Sequence, residues 1–297
     1  MRGVFQIPVR AGEHRLKKLI VTGDDFGLSV PVNEAITRAH QNGILTTTSL
    51  MVSAPAAADA ISRARLFPNL NVGLHLVLIC GDACLPYPKI PDLADNQNKF
   101  SENSVVSGFR MFFLPRVRRQ LAAEIRAQFD AFKKTGLRLD HVNAHKHMHL
   151  HPTVLDLIIS IGGEYGLKAV RVPEEPPLDA LINNRKEWLK RHARWLFLKP
   201  LVSGMKKKLR KHNIRFNDFI YGLHDSGYMN INTLIRILSH LPTGLSEVYA
   251  HPFKGLPENV DPAVVDYEAE YKALIHPRVK RTIEKFSIEL ASFGDLD

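Results

Sequence analysis

The sequence predicts an α/β fold in which a parallel sheet, open or closed into a barrel, carries its functional residues at the strands' C-terminal ends. Two observations predict it. Short apolar, β-branched runs alternate with helical stretches along the 297 residues, the pattern of repeated βα units. Polar residues recur where those runs stop, at Asp24-Asp25, His75, His145, Arg171 and His251. In α/β barrels the C-terminal ends of the strands build the active site.

The elements follow in order. KLIVTG (18–23) is an apolar run before an acidic pair and reads as a buried first strand ending at DDFG. PVNEAITRAHQN (31–42) opens with Pro31, carries Glu34 in its first turn and stops before Gly43, so it reads as a helix. ILTTTSLMVS (44–53) is the next strand, 55–67 a helix and NVGLHLVL (71–78) a third strand. Pro, Asp and Asn residues mark 80–105 as a long loop. A basic amphipathic helix spans 115–135, LRLDHVNAH (137–145) is a strand, 152–166 a helix and KAVRVP (168–173) a strand. SEVYAHP (246–252) is a late strand, and a helical tail runs from about 263 to 292. The whole reads as a single domain, 1–297, with a helical insertion at about 178–220.

Composition excludes several classes. Hydrophobic residues make up 45% of the chain and charged residues 24%, enough for a large core and too few charges for bulk disorder. No run approaches the ~18–20 apolar residues that span a bilayer. The N-terminus lacks the apolar stretch of a secretory signal. Cys80 and Cys84 are too few for a disulfide framework and fit a reducing, cytoplasmic setting; a CxxxC metal pair is the minor alternative. The net charge of +10 is concentrated. Arg185–Arg215 holds twelve Lys/Arg and one acid, so the remainder is close to neutral.

The chemistry lies in the polar strand ends. Neighbouring residues of a strand point in different directions, so one carboxylate of Asp24-Asp25 can bind a metal while the other holds a water or takes a proton. The pair also reads as an Asx turn before the helix. In NAHKHMHLHP, His145, His147, His149 and His151 alternate, and an extended segment would present all four on one side. One or two are expected to bind metal and the rest to shape the pocket. His75 and His251 are each compatible with a packed core histidine. Two histidines and an aspartate together make a three-ligand site with open positions. A divalent ion there activates water and polarises a carbonyl, and Asp24 and His251 can supply the base and acid that amide hydrolysis needs.

VTGDDFGLS, GILTTTSLM, VGLHLVL, NAHKHMHLHP and YAHP, in that order, resemble the YdjC/ChbG-like carbohydrate deacetylase family over roughly 17–175 and 245–255. The resemblance implies a distorted or incomplete (β/α) barrel, one divalent ion (Zn²⁺ or Mg²⁺) on Asp25, His75 and His145, Asp24 as general base and His251 as general acid. It leaves His147, His149 and Arg171 as candidates for substrate binding. Family members often carry Asp-Ser where this chain has Asn143-Ala144, so an uncharged Asn143, or His141 just upstream, would orient a ligand. RVPEEPP (171–177), the basic insertion and YGLHDSGYMN (221–230) are most similar to the hopanoid-biosynthesis-associated HpnK branch. Members of that branch are associated with deacetylating N-acetylglucosaminyl-bacteriohopanetetrol.

The insertion pairs apolar and cationic residues. Trp188 and Trp195, like Leu189 and Leu196, are seven apart. Beyond Pro200, Leu201, Met205 and Leu209 recur every four residues beside Lys206, Lys207, Lys208, Arg210 and Lys211. This describes a helix lying in the interface of an anionic membrane, or a helical hairpin packed on the barrel with a solvated basic side. The expected enzyme is a metal-dependent N-deacetylase of an N-acetylglucosaminyl hopanoid, peripheral at the inner membrane. Soluble chitooligosaccharides are the alternative substrate, and a non-catalytic lipid- or nucleic-acid-binding barrel the alternative of another class. No nucleic-acid module is present, so nucleic acid is not an expected partner.

Overall fold

The computed structural model describes residues 16–178, 182, 185–255 and 266–296. The N-terminal residues 1–15, five positions of the insertion and the start of the expected helical tail lie outside the described residues. The strands are β1 (Lys17–Phe26), β2 (Thr47–Leu50), β3 (Asn71–Leu76), β4 (Leu139–Ala144), β5 (Phe219–Tyr221), β6 (Gly244–Ala250) and β7 (Ile288–Ala291). The helices are α1 (Val30–Asn42), α2 (Ala57–Leu66), α3 (Ser104–Phe113), α4 (Pro115–Lys134), α5 (Pro152–Gly162), α6 (Arg185–Lys211), α7 (Ile231–Ser239), α8 (Tyr267–Ile275) and α9 (Pro277–Lys285).

All strand pairs are parallel, in the order β4-β3-β2-β1-β6-β5, with β7 alongside the first half of β1. Irregular backbone carries the pairing onward from β4. Val142 bridges Val170, Ala169 bridges Arg215, and the Ile220 N–H donates to the Glu174 carbonyl at 2.9 Å. These links join β4 back to β5, so the sheet curls into a distorted barrel. The expected strand at 168–173 thus forms only isolated bridges, because its partners are short segments on either side.

Strand alternation sorts the residues into two environments. On β1, Leu19 and Val21 join the main apolar core that the helices cover. Ile20, Thr22 and Asp24 face the barrel interior. Ile20, Ala169 and Phe293 form an apolar plug at its base. Above the plug the interior is polar, and that polar column leads up to the site. Close packing fixes the surrounding helices. A Cβ on Gly43, where α1 ends, would stand 2.5 Å from the carbonyl oxygens of Ala39 and Leu274, so only glycine lets α8 approach there.

Three elements depart from the sequence reading. Residues 104–113, of which 104–105 read as the end of the loop and 106–113 as no element, form α3, whose N-cap Asn103 accepts a hydrogen bond from the Val106 N–H. The tail ends in β7 rather than in helix. The insertion is one 27-residue helix with Pro200 inside it, not two helices. Proline removes the hydrogen bond to Leu196. Leu196 and Pro200 both lie on the exposed face, so the freed carbonyl is open to solvent.

Candidate active site

Asp24, Asp25, His75, His145, Lys146, His147, Ser226, Tyr249, His251 and Tyr267 line one cavity of about 260 Å³ at the strands' C-terminal ends. Regular alternation would send Asp24 and Asp25 to opposite faces. Instead Asp25 sits at φ 64°, in the left-handed region, and the β1–β2 register shifts between Gly23 and Phe26. Asp tolerates this conformation better than most residues. The bulge re-aims the second carboxylate, so both reach the cavity.

The four alternating histidines do not share a face. Residues 145–150 form a tight helical turn, with Lys146 (φ 50°) and His147 (φ 55°) both left-handed. This kink breaks the period of two. His145 stays at the end of β4 beside Asp25. His147 turns into the cavity, its Nε2 3.2 Å from the Tyr249 hydroxyl. His149 folds back beneath the turn, where its Nδ1 accepts from the Ala144 N–H at 3.0 Å. Burial, and then Arg171, push His149 down to about 3; the residue is fully buried and does not line the cavity, so it is out of a substrate's reach. His151 leaves the site and packs against Phe112.

Asp25, His75 and His145 are the one group among the described residues whose ligand atoms could hold a metal, all within 4.8 Å of one another. Asp25 Oδ1 is 3.2 Å from both His75 Nε2 and His145 Nδ1. Ligand atoms ~2.0–2.2 Å from a shared ion stand at about this spacing. A hydrogen-bond chain sets the histidine's state. Ser49 Oγ donates to Asp24 Oδ1 at 2.6 Å, and Asn143 Nδ2 donates to Ser49 Oγ at 3.0 Å and to Asp24 Oδ1 at 3.2 Å. Asn143 Oδ1 must therefore accept from His75 Nδ1, 2.7 Å away. In the neutral ring this leaves the lone pair on Nε2, a buried atom with no hydrogen-bond partner, facing a carboxylate oxygen. Two lone pairs facing each other fit a cation between them. Charge agrees. Three interior carboxylates (Asp24, Asp25, Glu247) face one guanidinium (Arg171), leaving two negative charges for a divalent ion to neutralise. The cysteine pair is not a rival site, since burial and Glu124 push the Cys84 thiol up to about 12.

Arg171 is fully buried and holds Asp24. Its Nη1 and Nη2 donate to the two Asp24 oxygens at 2.6 and 3.0 Å, while Nε and Nη2 donate to Glu247 Oε1. Thr22 donates to the same Glu247 oxygen, and the Tyr249 ring lies 4.9 Å from the guanidinium carbon. Arg171 therefore positions Asp24 rather than touching substrate. Burial alone would raise the Asp24 carboxyl, but Arg171 more than reverses this and keeps it far below the usual carboxylate range. The guanidinium thus favours the ionised form of Asp24. His251 completes the wall opposite, with Nδ1 3.2 Å from Ser226 Oγ and its backbone N–H held by Glu270 Oε2 at 2.6 Å.

His141 does not orient a metal ligand. It is buried one layer below, bonded to Asp140 and stacked on Phe293 at 4.5 Å. Asn143, bonded to His75 Nδ1, stands instead beside a candidate ligand. Asn143→Ala is expected to weaken metal affinity ~10–100-fold with the fold intact, the usual effect of losing such a partner; isothermal titration with Zn²⁺ checks it. The sequence reading missed Ser49, Tyr249, Glu247, Ser226 and Tyr267. Glu247 had a signal, a charged residue inside a buried strand. Tyr267, arriving on α8 from far along the chain, had none.

On α6, Met205 and Leu209 are buried and Trp195 turns inward against Pro173 and Leu223. Lys206 pairs with Glu174, Lys208 with Asp156, and Arg210 stacks on Phe216. These contacts hold α6 to the barrel, although Arg210 remains exposed. Of the repeat at 201, 205 and 209, Met205 and Leu209 lie on the packed side with Val202, while Leu201 is exposed. The outward apolar stripe is Leu189, Leu196 and Phe197, with exposed Trp188 beside it. Among the described residues no helix is long and apolar enough to cross a membrane.

A family model described as YdjC-like protein matches residues 18–285. A carbohydrate deacetylase of Brevibacillus brevis is 29% identical over 293 residues, covering 94% of this chain and 99% of its own. A carbohydrate deacetylase of Thermoanaerobacter pseudethanolicus is 29% identical over 283 residues, covering 95% and 100%. Among solved structures, a provisionally named cellobiose-phosphate cleavage protein of Enterococcus faecalis superposes with a TM-score of 0.70 at 23% identity, covering 94% of this chain and 98% of that one. This last likeness is one of fold.

Proposed function

The chain belongs to the YdjC-like family, and from that premise we propose that it is a carbohydrate deacetylase working by metal-assisted hydrolysis of an N-acetyl amino sugar. The observation that carries the metal dependence is the buried, unpartnered Nε2 of His75 facing Asp25 and His145. A bound divalent ion would polarise the acetyl carbonyl and lower the pKa of water. Asp25, His75 and His145 would hold it.

The other groups have distinct tasks. Asp24, fixed by Arg171, Ser49 and Asn143, accepts the proton of the attacking water. Its low pKa makes it a weak base towards free water, and it is suited to a water already acidified. His251, across the cavity, hands a proton to the departing amine. Ser226 and Glu270 hold its ring and backbone. Tyr249, Tyr267 and His147 supply the aromatic and polar wall that a sugar ring packs against.

For substrate, the N-acetylglucosaminyl hopanoid implied by the HpnK-like motifs is the favoured reading, with an anionic membrane surface as partner. The observation favouring a lipid-linked substrate over a soluble chitooligosaccharide is the outward stripe of α6. A soluble sugar needs no exposed Leu196 or Phe197. The test is acetate release by metal-loaded protein from N-acetylglucosaminyl-bacteriohopanetetrol and from diacetylchitobiose. Faster release from the lipid-linked sugar is expected. Release from the chitobiose alone refutes the lipid reading, and release from neither refutes the deacetylase.

A further inference from the structure

We infer that α3 is a second bilayer-docking element, which together with the outward stripe of α6 seats the cavity mouth against an anionic membrane. Placing a lipid-linked substrate at that mouth rests on the function proposed above; the docking itself does not. The observation is where the exposed large apolar side chains lie. Among the described residues Leu16, Leu66 and Leu290 are at the strands' N-terminal end. Nearly all the others are on segments leaving the C-terminal ends. Leu28 and Val30 follow β1, Tyr228 follows β5, and the rest are mainly on α3 and α6. Chance would scatter them over both ends. A large apolar patch ringing one face marks an interaction surface.

The densest part is α3. Phe109 is 63% exposed and Phe113 58%, with ring centroids 4.5 Å apart, and Val105 is 80% exposed. Among the described side chains of α3 only Met111 is buried in the core, so the helix is anchored through one side and offers Val105, Val106, Phe109 and Phe113 outward. It adjoins the mouth. The Glu102 carbonyl just before it contacts Cys80 Sγ, which takes a hydrogen bond at 3.1 Å from Lys146 of the cavity wall. Phe112 packs on His151, directly after the histidine turn. On the opposite side, Arg191 and Arg194 of α6 bind Asp225 and the Leu223 carbonyl, beside Ser226 of the wall. Two helices with exposed apolar side chains thus flank one opening.

Charge identifies the partner. Lys186, Lys190 and Lys199 are exposed on α6 ahead of its last three turns, and Arg118 and Arg119 are exposed at the start of α4 beside α3. A second copy on this face would bring two strongly cationic helices together and close both mouths. An anionic bilayer meets the same face with opposite charge. It takes aromatic side chains at the headgroup level and leaves a headgroup-borne sugar at the cavity.

The experiment is co-sedimentation of the full chain with vesicles of phosphatidylcholine and phosphatidylglycerol in equal parts, containing no substrate. Wild type is compared with Phe109→Ser/Phe113→Ser, Leu196→Ser/Phe197→Ser and Leu66→Ser. Circular dichroism and sedimentation velocity report fold and mass. We expect wild type and Leu66→Ser to bind alike, each double variant to bind at least tenfold more weakly, and all four to be folded monomers. High salt should weaken wild-type binding without removing it. Equal binding by Phe109→Ser/Phe113→Ser and wild type overturns the role of α3. A wild-type dimer that those substitutions dissociate assigns the face to a second copy and overturns the bilayer. Because no turnover is read, failure of docking and failure of the deacetylase are separate results.

Discussion

Alanine in place of Asp25, His75 or His145 is expected to remove bound metal and turnover together. Each supplies one of three mutually close ligand atoms, and none has another buried partner that could take its place. Two remaining ligands do not hold a labile divalent ion against water. The fold should survive, because all three sit at the cavity end of the barrel and not in its apolar core. The same geometry makes metal binding depend on pH. Burial disfavours a charged His75, but Asp25 and Asp24 outweigh it and leave its pKa above the ordinary histidine value. A proton then competes for the Nε2 lone pair. Affinity should fall as pH drops through that raised pKa and level off above it. Metal content by emission spectroscopy across pH, for wild type and the three variants, checks both statements. Full occupancy in any one variant removes that residue from the ligand set.

Asp24→Asn separates base from ligand. Asparagine keeps the shape and the bonds to Ser49 and Arg171 in part, yet takes no proton. The expected result is retained metal with turnover down ~10²-fold or more, the scale of general-base catalysis. Loss of metal would instead make Asp24 a ligand. The partner substitution reads differently. Arg171→Ala leaves Asp24 and Glu247 buried without a counter-charge, and truncating one member of such a pair costs ~3–5 kcal/mol. Thermal unfolding should therefore shift strongly for Arg171→Ala, while Asp24→Asn, which also relieves one buried negative charge, shifts less.

Much of this site was legible because period and residue type carry it. KLIVTGDDFG places an acidic pair at the end of a buried strand, and the structure keeps it there. What was not legible came from backbone conformations that break the period. Left-handed Asp25 turns two opposed carboxylates into neighbours, and left-handed Lys146 and His147 send four alternating histidines in four directions. Alternation predicts nothing once φ changes sign. Arg171 was read as a substrate contact because a strand-end arginine looks available; its burial between Asp24 and Glu247 depends on residues far apart in the chain. The repeat of Leu201, Met205 and Leu209 was real, but periodicity alone does not say whether a stripe faces protein or solvent. α3 went unread because the loop signals at 80–103 ran into it and Gly108 weakens its helical pattern.

The most direct test of the metal-centred mechanism is an anomalous difference map from crystals of the protein grown with Zn²⁺ at neutral pH. The account predicts one strong peak ~2.0–2.2 Å from an Asp25 carboxylate oxygen, His75 Nε2 and a ring nitrogen of His145. A peak held instead by His147, His149 or His151, or active crystals with no peak at Asp25, would contradict it.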